Sequence, residues 1–313
     1  CATATSGTGR CRAGRRTAFS SEHFTMARTE SSSPDIAVAA VQLNLYGGME
    51  DNLARAEAAV REAARKGAEL ILLPELFQGP YFCRAEKAEF FAQAYPLQQH
   101  AVVRRMQALA AELRVVLPVS FFERDGNAYY NSLAMVERDG SLLGVYRKSH
   151  IPDGPGYEEK FYFRPGNTGF KVWDTSCGRI GVGVCWDQWF PECARAMVLE
   201  GAELLLYPTA IGSEPEEPDL DTRRMWQRAM QGHAIANVVP IVACNRYGDE
   251  EGQVFYGHSF ICNAYGEILS EAPADADALL IQRFQPDKIR LQRASMGFFR
   301  DRRPELYQRL VES

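Results

Sequence analysis

Gly67-Ala-Glu-Leu-Ile-Leu-Leu-Pro74 recurs almost letter for letter as Gly201-Ala-Glu-Leu-Leu-Leu-Tyr-Pro208. Each copy follows a stretch with helical character and precedes a loop, so each reads as a short buried strand entered from a helix. Working outward, Asn52 to Lys66 carries apolar residues at helical spacing and stops at Gly67, while Pro191 and the run Cys193 to Glu200 read as the helix before the second copy. Beyond the copies, Val115-Val-Leu-Pro-Val119 and Val238-Val-Pro-Ile-Val242 repeat the same kind of strand after further helical stretches, about 98–113 and 223–237. The chain is thus read as internally duplicated, with Ile36 to Gln42 as its first strand.

Alternation of helix with continuously apolar strand argues for α/β layers. Tyr129 to Val136, a turn at Arg138-Asp-Gly140, and Leu142 to Arg147 read as an antiparallel hairpin, so the sheets should be mixed. A duplicated unit of this kind can bury its sheets by packing them face to face with helices outside. The expected fold is a four-layer αββα sandwich of two mixed sheets with an internal pseudo-two-fold. A single doubly wound sheet is the alternative if the repeat is ignored. Gly178, Gly181 and Gly183 lie within and beside a strand, which makes them no dinucleotide fingerprint.

The chain has 313 residues, 46% of them hydrophobic, and a net charge of -5. That is enough apolar material for a sizeable core, and the acidic balance offers no basic face for nucleic acid or membrane lipid. No apolar run reaches the ~18 residues of a membrane span. Residues 1–33 carry five arginines and no acidic residue before Glu22, so they read either as a transit-like tail or as sequence upstream of a start at Met26. The expected organisation is that tail followed by a single domain over 34–313. The expected compartment is the cytoplasm, or an organelle if the tail is a targeting peptide. Eight cysteines show no Cys-x-x-Cys pair and no zinc spacing, as in a reducing compartment.

Three strand ends carry chemistry. Gly178-Arg-Ile-Gly-Val-Gly-Val184 reads as a buried strand that stops at Cys185, and Pro191 then starts a helix, so Cys185 sits on a sharp elbow. The first repeat copy ends in Pro74-Glu75 where the second has Pro208-Thr209, and the hairpin ends in Tyr146-Arg-Lys148. Taken singly, a cysteine beside a strand fills core space and a Glu or Lys at a strand tip is solvated surface. Together, a thiol, a carboxylate and an ammonium make an acyl-transfer set. Glu75 takes the proton of Cys185 and returns it to a leaving amine, while Lys148 and the backbone N–H of Trp186 face the oxyanion.

These motifs, Pro74-Glu75, Tyr146-Arg-Lys148 and Gly183-Val-Cys185-Trp-Asp, resemble the three signatures of the carbon–nitrogen hydrolase (nitrilase) superfamily, and the likeness runs from about Ile36 to Tyr307. The resemblance implies a Glu-Lys-Cys triad on an αββα sandwich, with a further glutamate at Glu159 in preference to its neighbour Glu158. Pro80-Tyr-Phe-Cys83, Ala210-Ile-Gly-Ser-Glu-Pro215, Met230-Gln-Gly-His233 and Phe255-Tyr-Gly257 are similar to the branch that hydrolyses N-carbamoylputrescine in polyamine biosynthesis. That branch implies a small N-carbamoyl amine as substrate, with putrescine, ammonia and carbon dioxide as products. It implies a homo-oligomer, by resemblance a large assembly, and no metal or cofactor.

A cationic tail needs a carboxylate, for which Glu214 is placed on the loop after the second repeat copy, and Tyr81, Trp186 and Tyr256 are candidates to line the chain. The alternatives are an amidase for ureido acids or ω-amides, and a catalytically silent binding module. Met296 stands where the resemblance leads one to expect an aromatic.

Overall fold

In the computed structural model, which describes residues 34–217 and 219–312, Ile36–Gln42 forms strand β1, buried along its whole length. The expectations for the tail at 1–33 lie outside the described residues. Alternate side chains of β1 enter different cores, as the two-residue period of a strand requires. Ile36, Val38 and Ala40 pack with Ile180, Val182, Leu204 and Leu206, whereas Ala39 and Val41 pack with Leu53, Val60 and Val103. Each Leu or Val buried this way contributes about 1.5–3 kcal/mol.

After β1 come α1 (Met49–Arg65), β2 (Leu70–Leu72), α2 (Ala101–Leu113), β3 (Leu117–Asp125), β4 (Ala128–Val136), β5 (Leu142–Arg147) and the one-turn α3 (Glu159–Tyr162). The second half runs β6 (Lys171–Thr175), β7 (Gly178–Val182), α4 (Pro191–Leu199), β8 (Leu204–Pro208), α5 (Arg223–Asn237) and β9 (Ile241–Cys244). It continues through β10 (Tyr247–Glu250), β11 (Gln253–Tyr256), β12 (Phe260–Cys262), β13 (Ile268–Glu271), β14 (Ala278–Phe284) and α6 (Pro286–Met296).

One layer has the order β14-β1-β2, extended to β3-β4-β5 by a parallel bridge between Leu70 and Val116. The other has the order β6-β7-β8-β9-β12-β13. Read in these directions, both begin with an antiparallel edge strand, continue through parallel neighbours and end in an antiparallel pair. The likeness extends to the helix ends. Both α2 and α5 stop at a non-glycine residue in the left-handed region, Arg114 (φ 57°) and Val238 (φ 48°).

A central core lies between the sheets, α1 and α2 cover the first sheet, and α4 and α5 cover the second through Met197, Trp226 and Met230. The expected αββα sandwich with its internal duplication is borne out. The halves differ in one place that matters below. β3 turns directly into β4 at Gly126, whereas the β10–β11 hairpin intervenes between β9 and β12.

Candidate active site

Cys185 follows the end of β7 and opens a short 3-10 turn to Trp189. Its φ is 44°, a left-handed conformation that costs a non-glycine residue of order 1–2 kcal/mol and must be held by its surroundings. Asp187 does the holding. Its Oδ2 accepts from Val184 N at 3.0 Å and from the Tyr146 hydroxyl at 2.7 Å, and its Oδ1 accepts from His150 N at 3.0 Å. Tyr146 and His150 flank Lys148 in the chain, so one buried carboxylate ties the cysteine elbow to the end of β5. Gly183 is needed beside it, because a Cβ there would stand 2.9 Å from the Tyr207 ring.

Glu75 lies just past β2. The next residue, Leu76, has φ 46°, with its N–H donated to Ser120 Oγ at 3.0 Å. Arg246, fully buried and paired with Glu250 at 2.9 Å, donates to the carbonyls of Glu75 (2.8 Å) and Leu76 (3.0 Å). The backbone carrying the carboxylate is therefore clamped from β3 and from the start of β10. Asn131 Nδ2 donates to Glu75 Oε1 at 2.6 Å.

Lys148 sits at the end of β5, where a Cβ on Gly166 would collide with the carbonyls of Arg147 and Lys148. Its Nζ lies 3.0 Å from Glu75 Oε1 and 2.8 and 2.7 Å from the two oxygens of Glu159. Glu159 starts α3, and the Tyr81 hydroxyl donates to its Oε1 at 2.7 Å.

Cys185, Glu75, Lys148 and Glu159 are all buried, and their charges govern one another. Burial disfavours the ammonium of Lys148, yet the Glu159 and Glu75 carboxylates outweigh burial and hold its pKa well above the ordinary value. Burial pushes the Glu159 carboxyl up against the pull of Lys148. The Cys185 thiol is pushed far up, first by burial and then by the Glu75 carboxylate, with Lys148 pulling it back. The resting sulfur is accordingly a thiol and needs a base to become nucleophilic. Among the described residues Glu75 Oε2 has no hydrogen-bond partner, so the carboxylate has an oxygen free to accept a proton.

Cys185 opens onto a cavity of about 120 Å³ lined by Trp186, Trp189, Tyr157, Ala210, Asp153 and Glu214, among others. Glu214 is half-buried, and its carboxyl is raised by burial and then by Glu217. Of the aromatics expected along the chain, Trp186 is in this wall. Tyr81 and Tyr256 are not among its lining residues. Tyr81 is fully buried, edge-on to Tyr157 (6.1 Å) and Phe255 (5.5 Å), and spends its hydroxyl on Glu159. Tyr256 packs 5.8 Å from Trp226.

The sequence reading missed Asn131, Asp153, Tyr157 and Arg246. Tyr157 directly precedes the two glutamates already singled out, which was the available signal. Arg246 and Asn131 carried none, because the contacts that tie them to Glu75 span 171 and 56 residues of chain.

Comparison with known proteins bears on the family. Residues 37–294 match the carbon-nitrogen hydrolase family model. N-carbamoylputrescine amidase of Arabidopsis thaliana is 55% identical over 291 residues, 90% of this chain and 97% of that protein. Citrullinase of Francisella tularensis is 51% identical over 281 residues, 88% of this chain and 98% of that one. A carbon-nitrogen hydrolase from Helicobacter pylori G27 has a solved structure that matches with a TM-score of 0.83 and 38% identity, covering 89% of this chain and 99% of that one. With sandwich, motif order and nearly full-length similarity in agreement, the chain belongs to the carbon–nitrogen hydrolase family.

Proposed function

We propose that this enzyme hydrolyses N-carbamoylputrescine, with Cys185 as nucleophile, Glu75 as general base and acid, Lys148 as oxyanion partner and Glu159 holding the lysine. One observation carries the substrate reading. The cavity at Cys185 is lined by two carboxylates, Asp153 and Glu214, and among the described residues by no lysine or arginine. Such a wall attracts an alkyl ammonium and repels a carboxylate. Similarity to N-carbamoylputrescine amidases supports the same choice. The second reading, a ureido acid such as citrulline, is favoured by the 51% identity to a citrullinase, but it lacks a cationic partner in this cavity.

The thiol proton passes to Glu75 as the sulfur attacks the carbamoyl carbon. Lys148 and the Trp186 N–H carry the negative oxygen, and losing one such donor typically costs about 2.7–4 kcal/mol of barrier. Glu75 returns the proton to the departing nitrogen, leaving a carbamoyl thioester. It then takes a proton from water, whose oxygen displaces the sulfur, and passes that proton to the departing thiolate to restore Cys185. The released carbamate splits to carbon dioxide and the remaining amine. The balance is one water consumed and one putrescine, one ammonia and one carbon dioxide formed.

Ammonia release from a panel of N-carbamoylputrescine, citrulline and 3-ureidopropionate tests this. N-carbamoylputrescine should have the highest kcat/KM by at least ~10²-fold, about 2.7 kcal/mol of discrimination. Preference for either ureido acid overturns it.

The proposed partner is thus a small molecule and neither nucleic acid nor membrane; among the described residues no helix is long and apolar enough to cross a membrane. Self-association into a homo-oligomer is also proposed. The exposed Leu306, Leu310 and Val311 near the chain end support it, and light scattering tests it. The proposed compartment is the cytoplasm, or an organelle if residues 1–25 direct import, which a fluorescent fusion decides.

A further inference from the structure

The β10–β11 hairpin, the element without a counterpart in the first half, lines none of the cavity yet touches both loops that do. Gly212 bridges to Phe255, and Ser213 N donates to Val254 O at 2.7 Å, so the segment leading to Glu214 runs as an added strand against β11. Gln253, 2% exposed, spans the two walls, its Nε2 donating to the Tyr157 hydroxyl and to Ser213 O, each at 2.9 Å. The Tyr157 hydroxyl also accepts from Gly212 N at 2.8 Å. Both loops have shed side chains to permit this approach. A Cβ on Gly156 would collide with the Gln253 amide, and one on Gly212 with the backbone of Val254 and Phe255.

We infer that Gln253 is a positioning residue for substrate specificity. It carries no charge and touches neither sulfur nor cavity, but it locks the Tyr157 ring to the loop bearing Glu214, and so fixes the width between aromatic wall and carboxylate. This rests on the reading of the cavity as the site of an N-carbamoyl amine. The role is in binding and not in bond breaking, because Glu75, Lys148 and Cys185 are held by other contacts: Arg246 and Asn131, Glu159, and Asp187.

The test is steady-state kinetics of Gln253→Met, which keeps the volume and removes both donors, with N-carbamoylputrescine and the neutral N-butylurea. KM for N-carbamoylputrescine should rise about tenfold and that for N-butylurea by less than about threefold, with kcat for both within about twofold, the signature of lost binding that is equal in ground and transition states. Tyr157→Phe removes the hydroxyl through which Gln253 acts, so the two changes together should raise KM little more than either alone. An unchanged KM in Gln253→Met overturns the inference, as do an equal rise for the two ureas, a fall confined to kcat and fully additive effects. Should the Met variant not fold, Tyr157→Phe decides alone, and an unchanged KM there is equally fatal.

If the wild-type enzyme turns over neither urea, the substrate reading fails and the inference is read from Cys185 alkylation. The rate with 2-bromoethylamine relative to iodoacetamide should then fall at least about threefold in the variant, and an unchanged ratio overturns it.

Discussion

The ammonium of Lys148 lies 2.8 and 2.7 Å from the two oxygens of Glu159, and neither side chain reaches solvent. Glu75 stands on the same ammonium at 3.0 Å, so a single cation faces two buried carboxylates. Their attraction offsets the loss of hydration only while all partners are present.

Removing the cation leaves two like charges in a dry site. Lys148→Met should therefore lower the unfolding free energy by about 3–5 kcal/mol and abolish turnover, as read by urea denaturation and ammonia release. Glu159→Gln keeps the Lys148–Glu75 pair. It should cost less stability but reduce kcat by ~10²–10⁴, the range of a misplaced acid–base set. A Lys148→Met variant unfolding at the wild-type urea midpoint would contradict this balance.

Glu214 is the cavity carboxylate set on the loop that β11 supports. Glu214→Gln should raise KM for N-carbamoylputrescine by about tenfold, near 1.4 kcal/mol, with a smaller change for N-butylurea. Equal losses for the two substrates would show that the loop matters for shape and not for charge.

Much of this arrangement was legible in the chain because the repeat is local. Gly67–Pro74 and Gly201–Pro208 fixed two equivalent strands, and their differing next residues, Glu75 and Thr209, singled out one carboxylate. The hairpin ending at Lys148 and the elbow at Cys185 follow from turn and strand patterns. β10 to β14 were not read: β10 to β13 have only three or four residues each, and β14 is half-buried along most of its length, which leaves weak periodicity. Tyr81 was assigned to the substrate because an aromatic near a catalytic loop looks like a wall. Its hydroxyl contact with Glu159, 78 residues away, appears only in three dimensions.

His100 supplies a pH test independent of catalysis. Burial holds its imidazole neutral and lowers its pKa from 6.5 to about 4, against smaller upward pulls from the Phe122 carbonyl and Glu123. The unfolded chain binds a proton between these values that the folded chain does not. This contribution is therefore complete above pH 6.5 and is lost as pH falls towards 4, by up to about 3 kcal/mol. His100→Phe, placed against Phe121 at the same edge, should flatten the fall in urea midpoint over that window. A variant as acid-sensitive as the wild type would remove His100 from the account.

The central claim is that the sulfur of Cys185 takes the carbamoyl group. Rapid quenching during turnover of N-carbamoylputrescine, followed by peptide mass spectrometry, should find a carbamoyl adduct on Cys185, absent from a folded Cys185→Ala variant that releases no ammonia. Undiminished ammonia release by Cys185→Ala would contradict it outright.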